Sequence, residues 1–264
     1  MTHADTTATM AEPTDYDDWN THWVDYAEAA THSPAQIYRR RLTVRLLDRR
    51  TSPERLVDLG CGTGDLIYDA HRRWPSAEML GVEMSARGVE LAREKVPGAH
   101  FIQADLVAGV APDGQDFAGW GTHAVCSEVL EHVDDPVTLL RNARYYLQPG
   151  ALVVVTVPGG PISAFDRHIG HRRHYTPERL ARTLDEAGLR TLEVGGAGFP
   201  FFNLYRWFVL TRGQSVIDDV VSRDHGLRPA ARLAMMAFNP LLDVSLPKSR
   251  WGRQIVGVAC EPQA

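Results

Sequence analysis

Between Arg55 and Pro158 the chain alternates short runs of β-branched and other apolar residues with stretches whose apolar positions recur every three or four residues. The first pattern predicts buried strands and the second amphipathic helices, and their alternation is the signature of βαβ units around a parallel sheet. Strands are expected at 55–59, 78–82, 100–103, 123–126 and 152–157, with two more at 191–194 and 254–260. Upstream, a basic helix at 35–50 places Ile37, Leu42, Leu46 and Leu47 near one face.

Helix punctuation supports this reading. Asp135-Pro136 and Thr176-Pro177 each pair an N-cap residue with proline at the first helical position, while Gln148-Pro149-Gly150 and Gly188 are expected to close the helices that follow them. Residues 1–14 are small and polar and are expected to be disordered. Residues 15–50 form a helical cap, 51–198 with 252–264 form the core, and 199–251 read as a helical insertion ahead of the last strand.

Composition changes the picture little. With 44% apolar and 23% charged residues the 264-residue chain is typical of a folded protein, and a net charge of −5 argues against a bulk nucleic-acid partner. Cys61, Cys126 and Cys260 are odd in number and far apart, so a disulfide framework is not expected. No apolar run reaches the roughly 18 residues of a membrane span, and the first residues lack an export pattern, so a cytoplasmic protein is expected. The oligomeric state is not legible.

The candidate chemistry begins where the first strand runs into Asp58-Leu59-Gly60-Cys61-Gly62-Thr63-Gly64-Asp65. Glycines at a strand-to-helix turn allow positive φ and let a ligand approach the main chain. Asp65 takes the third glycine position of the dinucleotide fingerprint, where a pyrophosphate would meet its charge, so a nicotinamide or flavin cofactor is disfavoured. Glu83, at the end of the second strand, stands where an acid accepts ribose hydroxyls, and Asp105, after the third, can accept from an adenine amino group. Each acid alone reads equally well as a helix cap.

The span from Leu56 to Pro158 resembles the class I S-adenosylmethionine-dependent methyltransferases, in particular the ubiquinone and methionine-biosynthesis-like group. It carries V-x-D-L-G-C-G-T-G, an acid after the second strand, and Glu128-Val129-Leu130-Glu131-His132-Val133 after the fourth. The resemblance implies a Rossmann-like α/β fold: a seven-stranded, mostly parallel sheet with helices on both faces, the last strand reversed, plus helical and aromatic lid elements. It also implies S-adenosylmethionine as cofactor, with its methionine end near Asp58 and Gly60, ribose on Glu83, adenine beside Asp105 and Leu106, and Ser127 and Glu128 beneath the methyl group. Cys61, Gly62 and Met84 are counted in the same lining.

Glu128, Glu131 and His132 lie after the fourth strand, and the loop after the fifth adds His168, His171 and His174. Two carboxylates and imidazoles suit Mg²⁺, Mn²⁺ or Fe²⁺ with open positions. The spacing E-x-x-E-H with His171 four residues before Tyr175 is similar to the metal-dependent small-RNA 2′-O-methyltransferases. It makes Glu128, Glu131, His132 and His171 candidate metal ligands or catalytic groups, against the plainer reading that they bond the loop backbone. Arg167, Arg172 and Arg173 are candidates for clamping an anionic acceptor. Trp19, Trp23 and Tyr26 before the core, and Phe199, Phe201, Phe202, Tyr205, Trp207 and Phe208 after it, read as core or as a water-excluding lid; Tyr175 and Phe202 are counted among the acceptor contacts. The expected function is methylation of a small anionic or hydroxylated molecule. An RNA 2′-O-methyltransferase and a non-catalytic S-adenosylmethionine binder are the rivals.

Overall fold

The computed structural model describes residues 18–212 and 240–263. The expected disorder at 1–14 and the middle of the 199–251 insertion lie outside them.

Two helices, α1 (Trp19–His32) and α2 (Pro34–Asp48), precede β1 (Arg55–Leu59). Then come α3 (Asp65–Arg73), β2 (Glu78–Glu83), α4 (Ala86–Lys95), β3 (His100–Gln103), β4 (Gly121–Ser127), α5 (Pro136–Ala143) and β5 (Leu147–Pro158). The chain continues with α6 (Ala164–His168), α7 (Pro177–Glu186), β6 (Arg190–Ala197), α8 (Phe201–Arg212) and β7 (Gln254–Cys260). The seven strands form one sheet in the order β3-β2-β1-β4-β5-β7-β6, with β7 antiparallel to both neighbours and the other pairings parallel.

Strand residues serve two cores in alternation. Val57, Val153 and Val155 face the layer containing Leu139, Leu140, Leu180 and Leu184 of α5 and α7; Leu56, Leu152 and Val154 face Leu47, Ile67, Val89 and Ala92 of α2, α3 and α4. Both faces are covered, which is why these strands read as unbroken apolar runs rather than alternating ones. A third cluster joins Tyr38 and Leu42 of α2 to Phe202 of α8, Leu242 and Val256.

The Asp135 and Thr176 side chains cap α5 and α7 as the sequence predicts. The expected end of α5 needs correction: the helix stops at Ala143, and Gln148-Pro149-Gly150 lies inside β5. Buried Tyr146 and Leu147, the latter paired with Gly121, pull the chain into the sheet earlier than its proline and glycine suggest. The strand order reverses between β1 and β4, so the loops at their C-terminal ends part and leave a crevice between them.

Candidate active site

One wall of the crevice is the glycine turn. Gly60 and Cys61 donate their amides to Val82 O at 2.8 and 3.1 Å, pinning the turn to β2. Gly60 has φ +77° and Gly62 φ +53°, and added Cβ atoms would lie 2.5 Å from Val129 and 2.7 Å from the Trp23 ring, so both positions require glycine. Glu83 is buried, with its two carboxylate oxygens accepting from Gly62 N and Ser85 N, each at 2.9 Å, and burial raises its pKa. Asp58 is also buried; desolvation first, and then the Glu83 charge, push its pKa up to about 8. Cys61 is buried beside them with its thiol pushed up for the same reason, which leaves it unreactive.

Asp65 differs from the sequence reading. Its carboxylate pairs with Lys95 Nζ at 3.0 Å and accepts from Thr63 Oγ1 at 2.8 Å, so its charge is balanced within the helix layer and does not face a ligand uncompensated. Asp105 accepts from Val107 N at 2.8 Å, closing its own turn, while Leu106 is buried and held through its carbonyl by Asn142. Met84 is exposed beside Glu83, and Ser127 shares a hydrogen bond with Thr156 at 2.8 Å. From α1, Trp23 lies against Gly62 and Gly88, and Trp19 meets His132 edge-on at 4.9 Å, so the helix closes over the turn.

The other wall follows β4. Glu128 holds φ +59°, a left-handed conformation that costs a non-glycine residue about 1–2 kcal/mol. Its Oε1 accepts from Thr156 Oγ1 at 3.0 Å and Gln254 Nε2 at 2.6 Å, and its Oε2 lies 2.9 Å from Arg39 Nη2, an ion pair without an aligned hydrogen bond. Glu131 is fully buried and neither carboxylate oxygen has a hydrogen-bond partner; burial, then the Glu128 charge, push its pKa well above its ordinary value.

Burial, with His22 next, pushes the His132 pKa down to about 3, and its Nδ1 has no partner. His171 is pushed well down by burial and by its neighbours His132 and His174. Its tautomer follows from the chain of hydrogen bonds. Gly160 O can only accept, so His174 Nδ1, at 2.9 Å, carries the proton, and His174 Nε2 accepts from His171 Nδ1 at 3.0 Å. Neutral His171 therefore presents Nε2 with a free lone pair.

Of the four candidate metal ligands, the fold brings three together: Glu131, His132 and His171 each offer a ligand atom within 4.8 Å of one another. Glu128 is not in this group because Arg39, Thr156 and Gln254 hold its carboxylate. A second group, Asp166, His171 and His174, shares His171.

The candidate acceptor residues are placed otherwise than the sequence suggests. Phe202 is fully buried and stacked on Tyr38 at 4.5 Å, and Tyr175 is buried with its hydroxyl donated to Leu130 O at 3.3 Å; both are packing residues. Arg172 forms an ion pair with Asp134, Arg173 donates to Asp134 O at 3.0 Å, and Arg167 is exposed, so the first two latch one loop to another. Sequence reasoning missed Arg39, Gln254, Asp166 and Arg206, which surround Glu128 and the histidines. Only Arg206 left a signal, as a lone charge inside an apolar and aromatic run.

The sequence pattern of a family described as a methyltransferase domain matches residues 26–194. A trans-aconitate 2-methyltransferase of Azoarcus sp. strain BH72 is 34% identical over 76% of this chain and 82% of its own length. A protein of the same name from Rhodopseudomonas palustris strain BisA53 is 37% identical over 40% of this chain, which spans only 39% of that relative. The solved structure of a phosphoethanolamine N-methyltransferase 2 from Haemonchus contortus, 16% identical, shares the fold with a TM-score of 0.62 over 95% of this chain and 61% of that one. With the glycine turn at the crevice, the buried acid after β2 and the reversed last strand, the chain belongs to the class I S-adenosylmethionine-dependent methyltransferases.

Proposed function

We propose that the chain methylates an oxygen of a small anionic molecule, a carboxylate in the first instance. The observation that carries this reading is the gathering of ionisable groups at the ends of β4 and β5 beside the glycine turn: Glu131, His132 and His171 within 4.8 Å of one another, with Glu128 held next to them by Arg39 and Gln254. The names of the Azoarcus and Rhodopseudomonas relatives support a small anion as acceptor.

The residues present fit S-adenosylmethionine. Gly60 and Gly62 leave the turn without side chains, Glu83 offers a buried carboxylate for ribose hydroxyls, and Asp58 offers one for an ammonium group. Cys61, Met84, Asp105, Leu106 and Ser127 complete the lining. When bound, the cofactor supplies an electrophilic methyl group on a sulfonium sulfur. The chain's share is alignment, exclusion of water and control of protons. Trp19 and Trp23 shut the crevice from the α1 side, and α2 and α8 supply walls around the acceptor through Arg39 and Arg206. A carboxylate acceptor already carries its nucleophilic charge and needs only orientation. For a hydroxyl acceptor, His171 Nε2 is the group with a lone pair to take the proton.

A divalent metal is a second reading, favoured by one observation: Glu131 is buried with both oxygens unpartnered, next to an unpartnered His132 Nδ1. Glu131, His132 and His171 would hold the ion, with Glu131 as its anionic ligand. Three buried free cysteines support a reducing, cytoplasmic setting.

Transfer of label from S-adenosylmethionine to a panel of small carboxylates, hydroxylated metabolites and RNA tests the reading. Label on a carboxylate is expected, and label on RNA alone overturns it. Chelator treatment together with Glu131→Ala decides the metal: full activity in both leaves Glu131 as structure.

A further inference from the structure

The acceptor side of the crevice holds two arginines to which alignment and proton control give no task. Arg206 projects from α8, a helix otherwise rich in apolar and aromatic residues, yet it is only 8% exposed. Among the described residues its ion-pair partner is Asp166, whose Oδ2 lies 3.7 Å from Nη2, outside hydrogen-bond distance. That oxygen already accepts from Ser163 N at 2.8 Å and lies 3.7 Å from His174 Nε2. Arg39 sits nearby on α2, fixed by Gln254 at 3.0 Å and by Glu128, with its guanidinium 5.7 Å from the centre of the Phe202 ring. Phe202 and Arg206 are four residues apart and share a helix face, so both guanidinium groups belong to one wall.

Among the described residues the charge balance of that wall is incomplete. Guanidinium stays charged in a protein, so it cannot answer burial by losing its proton as a lysine can. Burial, and then the charge of Arg39, push the Arg206 pKa down. Glu128 is committed to Arg39, so among the described residues a distant and shared Asp166 is what remains for Arg206. Asp166 lies 3.7 Å from Arg206, 3.8 Å from His171 Nδ1 and 3.7 Å from His174 Nε2, so Arg206 stands at the same crevice as the candidate catalytic groups.

We propose that Arg206, flanked by Arg39, is the receptor for a carboxylate of the acceptor, and that the acceptor is therefore a di- or tricarboxylate. A planar guanidinium matches a carboxylate with two parallel hydrogen bonds. A carboxylate held in that way has its oxygens engaged and its charge neutralised, so it is a poor nucleophile. The methylated oxygen must belong to a second group of the same molecule. The inference rests on the methyltransferase reading and deepens it.

Calorimetry on the full chain tests both separately. S-adenosylhomocysteine is titrated first; citrate and, in a parallel arm, inorganic phosphate are then titrated into the saturated protein, for the wild type, Arg206→Gln and Arg206→Lys. Citrate is expected to bind the wild type more tightly than phosphate. Arg206→Gln should weaken citrate roughly tenfold or more, and Arg206→Lys less, because the ammonium keeps the charge and loses the fork. S-adenosylhomocysteine affinity should be unchanged in both variants, which also shows that they are folded. Equal citrate affinity in Arg206→Gln and wild type overturns the receptor, as does a wild type that takes up no citrate at millimolar concentration or prefers phosphate. Loss of S-adenosylhomocysteine binding in both variants makes Arg206 structural and overturns it too. A wild type that fails to bind S-adenosylhomocysteine overturns the methyltransferase reading instead.

Discussion

The two walls of the crevice are built on opposite principles. On the β1–β2 side the chain satisfies itself: both oxygens of Glu83 are taken by backbone amides, the turn is pinned to Val82, and Asp65 is balanced by Lys95. On the β4–β5 side polar groups are left over, since Glu131 has two unpartnered oxygens, His132 an unpartnered nitrogen and Arg206 a counter-ion at 3.7 Å. A finished wall suits a ligand that never changes, and an unfinished one marks where an acceptor or an ion must complete the hydrogen bonding.

The sharpest way to break this comparison is at Phe202, which the sequence counts with the acceptor contacts and the fold places in the third core cluster. Phe202→Ala should destabilise by about 3–5 kcal/mol and lower the melting midpoint on the order of 10 °C. An unchanged midpoint accompanied by a changed acceptor KM would restore the ring to the binding surface.

On the finished wall, Glu83→Ala removes the acceptor for Gly62 N and Ser85 N together with the proposed ribose contact. S-adenosylhomocysteine binding should weaken by about 1.5–3 kcal/mol by calorimetry. Unchanged affinity in a folded variant would leave Glu83 as a turn brace alone.

Asp58 gives the same wall a pH dependence. Its folded pKa of about 8 lies above the unfolded value of about 4, so between these limits the folded chain keeps a proton that the unfolded chain has lost. Its contribution to stability is therefore full below about pH 4 and declines as pH rises towards 8, by at most about 1.4 kcal/mol per unit. Binding of an ammonium group runs the other way. It needs the ionised carboxylate, so S-adenosylhomocysteine affinity should rise with pH up to about 8, by at most about tenfold per unit. Asp58→Asn should flatten both trends, and a stability profile with the same slope in the variant would remove Asp58 as the cause.

The two walls also differ in how far they can be read from sequence. The turn, its acid after β2 and the order of strands are local features: Asp58 to Asp65 is one segment, Glu83 ends the next strand, and each has a reason that its neighbours in the chain supply. The acceptor wall draws on Arg39, Glu128 to His132, Asp166 to His174, Arg206 and Gln254, which meet only when α2, α8 and β7 pack around β4. In the run Arg39-Arg40-Arg41 of the basic helix nothing local distinguishes Arg39, which reaches Glu128, from Arg40, which reaches Asp69. Histidine spacing joined His171 to Glu131 and His132, and their ligand atoms lie within 4.8 Å of one another because parallel strands deliver adjacent loops to one crevice. It also enrolled Glu128, whose partners are remote in sequence.

The smallest expected effect sharpens the contrast between the arginines found by sequence and those found by structure. Arg172 and Arg173 reach Asp134 in the loop after β4, one through its carboxylate and one through its carbonyl, and the Asp134 side chain is itself 83% exposed. An exposed latch of this kind adds little, because both ends remain well solvated when it opens. Arg173→Ala should therefore leave citrate affinity within about twofold of the wild type, since a surface pair of this strength carries little binding energy. Arg206→Gln, by contrast, removes a charge that burial has already stripped of water. The two variants change the net charge of the protein equally, so any general electrostatic attraction of anions falls by the same amount in both. Equal losses of citrate affinity would show that anions respond to overall charge and would erase the distinction between the walls. A loss confined to Arg206 locates recognition in the unfinished wall, where the chain has left a guanidinium for the acceptor to complete.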